Sequence, residues 1–143
     1  MAIISGSRGD KSAKENKARA KQLDRDIKCK GLPGATKVTG RWTEKDDKTG
    51  KETKVKERSH VVTSGKKSKR KFKKAIKALG KKYGQDAVLT QTKKTGTVAA
   101  TRKGGLGISA GKNVKRFTAG TMKPGRSSSD GDTKIKNKTF TYG

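Results

Sequence analysis

The densest chemistry in this sequence is cationic. Between Lys66 and Lys82 stand ten Lys and Arg residues and no acid. Lys66, Lys67, Lys69, Arg70, Lys73, Lys74, Lys77, Lys81 and Lys82 together form a surface that could follow a phosphate backbone, each contact releasing condensed counterions. The competing explanation is a merely solvated lysine face. Such a face usually carries glutamates at i,i+4, and none is present here. A helix lying on a membrane surface would also be basic on one side, but Phe72, Ile76 and Leu79 are needed for the core.

A second constellation is polar and scattered in sequence: Asn16, Arg19, Glu57, Ser59 and Gln85. Asn16 and Arg19 lie about one turn apart on a predicted helix. Glu57 and Ser59 share a face of a predicted strand, and Gln85 follows the second helix. A buried glutamate requires a partner, and Arg19 is the natural one. The set therefore reads as an internal polar clasp, or alternatively as a small pocket for a polar ligand or for catalysis.

Other chemistry is poorly supported. The run Gly104-Gly105-Leu106-Gly107-Ile108-Ser109-Ala110-Gly111-Lys112 imitates a phosphate-binding loop. It has Leu106 where the first glycine of that motif belongs, and Asn113 follows Lys112 instead of Ser or Thr. A flexible loop is the simpler reading. Cys29 is the one cysteine and His60 the one histidine. No intramolecular disulfide is therefore possible, and no metal site, nucleophile pair or cofactor is expected. Trp42, Phe72 and Tyr83 read as core. Tyr142 could stack on a base, but no aromatic-basic interleaving supports that role.

These residues must be positioned by a modest set of elements. Residues 1–9 read as a loose, flexible arm. Asp10 or Ser12 can cap a helix running to about Lys30, with Gly31 as its stop. Lys37–Glu44 and Glu52–Thr63 form a hairpin around Asp46–Gly50. On its second strand Val55, Glu57, Ser59 and Val61 share the apolar face, and Lys54, Lys56, Arg58, His60 and Val62 the wet one. Phe72, Ala75, Ile76, Leu79 and Tyr83 fall on one side of a helix over 69–83 at a period of 3.6. Gly80 inside it costs about 1 kcal/mol relative to Ala, or marks an earlier end. Asp86–Gln91 and Thr97–Arg102 suggest a second hairpin. Val114–Thr118 could be a short strand, and Thr133–Tyr142 could close the sheet. The order implies an α+β fold: a small antiparallel sheet of two hairpins plus a C-terminal strand, two helices on one face, and flexible basic and Gly-rich segments. Residues 10–142 form one domain, with a Gly/Ser-rich irregular insert at about 103–132.

Composition sharpens the functional expectation. Thirty-nine basic residues against twelve acidic ones give a net charge of +27 over 143 residues. Such an excess on one small domain repels itself unless anions neutralise it. Lysine outnumbers arginine, which favours phosphate contact over base reading. Hydrophobic residues make up 27%, enough for one thin core. The N-terminal apolar run is too short for a signal peptide and nothing approaches a membrane span, so the expected location is the host cytoplasm.

Several short motifs carry a family resemblance. Asn16-x2-Arg19-x3-Leu23, Gly31, Val38-x-Gly40-x-Trp42, Glu57-x-Ser59, Leu79-Gly80-x2-Tyr83-Gly84-Gln85-Asp86-x-Val88 and Thr139-Phe140-Thr141-Tyr142 resemble a small α+β domain of unassigned function found in bacteriophage and bacterial proteins. The resemblance implies one compact domain and a phage or bacterial source, and it implies no reaction.

Charge and resemblance together lead to the expectation of a non-enzymatic, phage-type accessory protein that binds nucleic acid, DNA or RNA, inside the host cell or the virion. One alternative is a structural capsid or tail protein whose cations meet an acidic virion protein. The other is an enzyme or small-ligand pocket around Arg19, Glu57 and Gln85.

Overall fold

The structure, a computed structural model, describes residues 1–45, 48–85, 87–101, 113–118, 122–125, 132–135 and 137–142. Helix α1 spans Ala13–Cys29 and helix α2 spans Lys69–Lys82. Ser12 opens α1 with a capping box: its Oγ accepts from the Glu15 amide at 3.1 Å, and Glu15 Oε2 accepts from the Ser12 amide at 2.8 Å, which satisfies two otherwise unpaired donors. Ser68 caps α2. Gly31 and Gly84, at φ of +70° and +65°, take the left-handed conformation that stops each helix.

Nine strands form one sheet: β1 (Ala2–Ser5), β2 (Thr36–Lys45), β3 (Glu52–Val62), β4 (Ala87–Gln91), β5 (Thr95–Ala100), β6 (Asn113–Thr118), β7 (Met122–Pro124), β8 (Asp132–Ile135) and β9 (Lys138–Tyr142). Their order is β6-β5-β4-β1-β3-β2-β8-β9-β7, and every pairing is antiparallel. The α+β class, the antiparallel sheet and the two helices are as the sequence implies.

Three expectations need correction. Residues 2–5 are not a loose arm: they form β1, inserted between β3 and β4. Ala2 and Ile4 are buried at 0% and 2% exposure. A four-residue strand buried this deeply shows no alternation, so its sequence looks like an untethered apolar end. The stretch at 103–132 is not wholly irregular either, since β6 pairs with β5 and β7 with β9. The phosphate-loop imitation at 104–112 lies outside the described residues. Finally, His60 is not on a wet face; it is 1% exposed.

That last correction sets which side of the sheet the helices cover. One core cluster joins Ala2 and Ile4 of β1, Val62 of β3 and Val88 of β4 to Leu23 and Ile27 of α1 and to Phe72, Ile76, Leu79 and Tyr83 of α2. Ala2 pairs with Val62, and Ile4 with His60, so these residues point one way, toward the helices. Gly80 permits the contact of α2 with β4: a Cβ there would stand 2.5 Å from Val88 Cγ1 and 2.9 Å from Thr101 Cγ2. The helix runs through this glycine without stopping.

Candidate functional site

The five polar residues divide into two groups on opposite sides of the sheet. Asn16, Arg19 and Gln85 converge on the chain that leaves β1. Asn16 Oδ1 accepts from the Arg8 amide and its Nδ2 donates to the Arg8 carbonyl, both at 3.0 Å. Arg19 Nε donates to the Gly6 carbonyl at 2.6 Å and its Nη2 to the Tyr83 carbonyl at 2.5 Å. Gln85 Nε2 donates to the Ser7 carbonyl at 2.9 Å. Arg8 continues the pattern, donating to the Gly84 carbonyl at 3.0 Å and pairing with Asp10 at 2.8 Å. Both helices are thus stitched to residues 6–8 through side chain-to-backbone bonds.

Glu57 and Ser59 lie on the other side. Strand β3 pairs with β2 in unbroken register from Glu52 to Val61, so strict alternation holds. Since His60 and Val62 face the helices, Ser59 and Glu57 face away. The expected Arg19–Glu57 clasp is therefore absent, and Arg19 is satisfied by the Gly6 and Tyr83 carbonyls. Reading the strand by its valines assigned the helices to the wrong face. Val62 overrides those valines by packing with Ala2 and Ile4 against the helices, and His60 is buried with it, its Nε2 3.0 Å from Asp24 Oδ1 of α1. Among the described residues neither ring nitrogen of His60 has a well-formed hydrogen bond.

The face turned away from α1 and α2 has its own organisation. Val98, Leu89, Ile3 and Val61 stand in a row across β5, β4, β1 and β3, all half-buried. The next row holds Ser5, Ser59 and Val38, at 5%, 9% and 4% exposure. Ser5 Oγ donates to the Arg58 carbonyl at 2.8 Å and accepts from the Ser7 amide at 3.0 Å. Beyond them Glu57, half-buried, stands opposite Gly40, where the neighbouring strand presents no side chain.

The other carboxylates of the helix side have structural duties. Asp26 Oδ2 accepts from Tyr83 Oη at 2.7 Å and pairs with Lys82 at 2.8 Å. Lys82 and Tyr83 hold its carboxyl below the usual range. Burial, seconded by Asp26, raises the Tyr83 phenol. Glu15 closes the helix cap, and Asp24 pairs with Lys37 at 3.0 Å. The lysines singled out by sequence lie on α2 and the link before it. Lys66, Lys69, Arg70, Lys74, Lys81 and Lys82 are exposed, and Lys67, Lys73 and Lys77 are half-buried. They occupy the helix side, away from Glu57. Ser5, Ser7 and Arg8 were not identified from sequence; the Ile3-Ile4 pair was the signal that this segment is internal.

A family model described as the S-adenosylmethionine lyase family matches residues 2–143. A solved structure of a phage SAM lyase in complex with S-methyl-5'-thioadenosine is similar at a TM-score of 0.41 and 19% identity, over 82% of this chain and 84% of that one. No curated protein matches the chain. The family match overturns the expectations of a non-enzymatic nucleic-acid-binding protein and of a structural virion protein, because the matched family is one of enzymes. It also replaces the resemblance to a domain without assigned reaction. Net charge is a property of the whole surface and does not separate an enzyme from a binding protein.

Proposed function

We propose, for a chain that belongs to the S-adenosylmethionine lyase family, that it breaks a carbon–sulfur bond of S-adenosylmethionine without water or a redox partner. The observation that carries this reading is the family match across residues 2–143.

The chemistry asks little of the protein's acids and bases. In the simplest balanced route the substrate's own carboxylate attacks its Cγ and closes a lactone ring. The Cγ–S bonding pair goes to sulfur, which leaves as a neutral thioether. No proton moves, so neither a general acid nor a general base is needed. The protein must hold the carboxylate in line at about 3–3.5 Å from Cγ and keep water out.

Charge cancels along this route, since a carboxylate and a sulfonium become a neutral ester and a neutral thioether. Apolar surroundings therefore favour the transition state over the ground state. A carboxylate placed beside the sulfonium would oppose the reaction. The half-buried row of Ile3, Val61, Leu89 and Val98 suits the reacting centre. Glu57 suits the substrate's ammonium group, whose charge does not change. In this reading Glu57 anchors the amino-acid end.

The test is direct. Incubation with S-adenosylmethionine should release methylthioadenosine together with homoserine lactone, before any homoserine accumulates. Absence of turnover, or homoserine appearing first, overturns the reading.

A further inference from the structure

On the helix side of the sheet, a groove of about 510 Å³ opens between the first turns of α2 and the β4–β5 turn. Phe72 and Thr90, at 4% and 5% exposure, lie at its base. Lys69 and Lys73 of α2 and Lys93 of the turn form its rim. A neighbouring hollow of about 610 Å³ is lined by Lys69, Arg70, Lys73, Lys74 and Lys77, so Lys69 and Lys73 stand between the two. No carboxylate lines either hollow among the described residues, and the first turn of α2 contains no acid.

We propose that this groove is a binding site for a small polyphosphorylated anion, separate from the Glu57 face. Lys69 and Lys93 bring ammonium groups from two elements to one cavity that no carboxylate lines among the described residues, and an anion seated there is attracted by both. Lysine is a compact, strongly hydrated point charge that meets phosphoryl oxygens without demanding a planar fork. The volume falls in the range of small-ligand pockets. The buried base closes the groove from below, so a ligand enters end-on from solvent. The groove opens on the side of the sheet that Glu57 does not face, so its occupancy and turnover can be measured independently.

The probes are inorganic triphosphate and ATP, titrated calorimetrically at about 100 mM salt, where long-range attraction is screened beyond about 10 Å. Lys69→Gln/Lys73→Gln/Lys93→Gln removes the rim. Lys14→Gln/Lys17→Gln/Lys21→Gln removes the same charge from the exposed face of α1 and serves as control. The rim variant should lose at least about tenfold in affinity, the equivalent of one charge-assisted contact, and the control less than about threefold. Equal affinity for both probes assigns recognition to the phosphate chain; tighter ATP binding assigns it to a nucleotide. Either supports the site, provided the rim variant keeps its circular dichroism spectrum. Equal losses in the two variants, or no binding of either probe to the unmodified protein, overturn it. A rim variant that does not fold is replaced by Lys93→Gln alone, on the exposed turn, which should still weaken binding beyond any single control substitution; no such difference also overturns it.

Discussion

Arg19 of α1 lies 5.4 Å from the centroid of the Tyr83 ring and donates to the Tyr83 backbone carbonyl at the end of α2. The same guanidinium holds the Gly6 carbonyl at 2.6 Å. One side chain therefore ties α1, α2 and the exit of β1 together. Tyr83 returns the contact by donating from Oη to Asp26 of α1 at 2.7 Å.

Arg19→Met keeps the aliphatic stem and deletes the donors. It should cost about 2–3 kcal/mol of stability, since it strands two part-buried carbonyls that had a charged partner. Arg19→Lys should not restore this, because an ammonium cannot reproduce the two-pronged geometry. Urea denaturation of both variants checks the claim; full recovery in the lysine variant would contradict it.

Gly80→Ala separates propensity from packing. Alanine should favour the helix by about 1 kcal/mol, yet its Cβ meets Val88 Cγ1 and Thr101 Cγ2 well inside contact distance. Net destabilisation of about 1–3 kcal/mol is expected. In the double variant Gly80→Ala/Val88→Ala the two costs should not add fully, because the second change removes the nearer of the two clashes. Strict additivity of the melting shifts would show that the contact is not the cause.

Glu57→Gln tests the assigned face. The substitution is isosteric, and urea denaturation of the variant is measured beside its kinetics so that lost stability is told apart from lost binding. The kcat/KM for S-adenosylmethionine should fall by about 10–100-fold through loss of a charged hydrogen bond to the ammonium. Measured turnover equal to the unmodified protein would place the substrate elsewhere.

His60 should give the protein a pH dependence whose sign follows from its burial. Burial pulls its pKa below 6.5, Asp24 opposing this more weakly. Below pH 6.5 the unfolded chain binds a proton that the folded one does not, so the contribution to stability is full above 6.5 and is lost as pH falls below it. The melting temperature should decline between about pH 7 and pH 5, and His60→Leu should flatten that decline. The carboxylates held down by partners, such as Asp26, act in a separate and more acidic window. A profile through this range that is the same with and without His60 would falsify the assignment.

The helices were legible because their information is local. Phe72, Ile76 and Leu79 recur at helical spacing and are the residues α2 buries; Ser12, Glu15, Gly31 and Gly84 mark ends by backbone chemistry that depends on near neighbours alone. The β2–β3 hairpin was legible for the same reason, having one short turn and a long alternating strand. Strand β1 was not, because its partners at Ser59–Val62 and at Leu89–Thr90 are distant in sequence.

Alternation along β3 determined from sequence that Glu57 and Ser59 share a face, and that His60 and Val62 share the other. It could not determine which face the helices would cover, since Val55 and Val61 argue for one side and Val62 for the other. Packing decided this: Ala2, Ile4 and Val62 bury against both helices, and His60 goes under with them beside Asp24. Glu57 was thereby left on the face turned away from α1 and α2, away from the Arg19 it had been expected to meet. The period of a strand is a property of its backbone, whereas the choice between its two faces is a competition for burial among segments far apart in the chain.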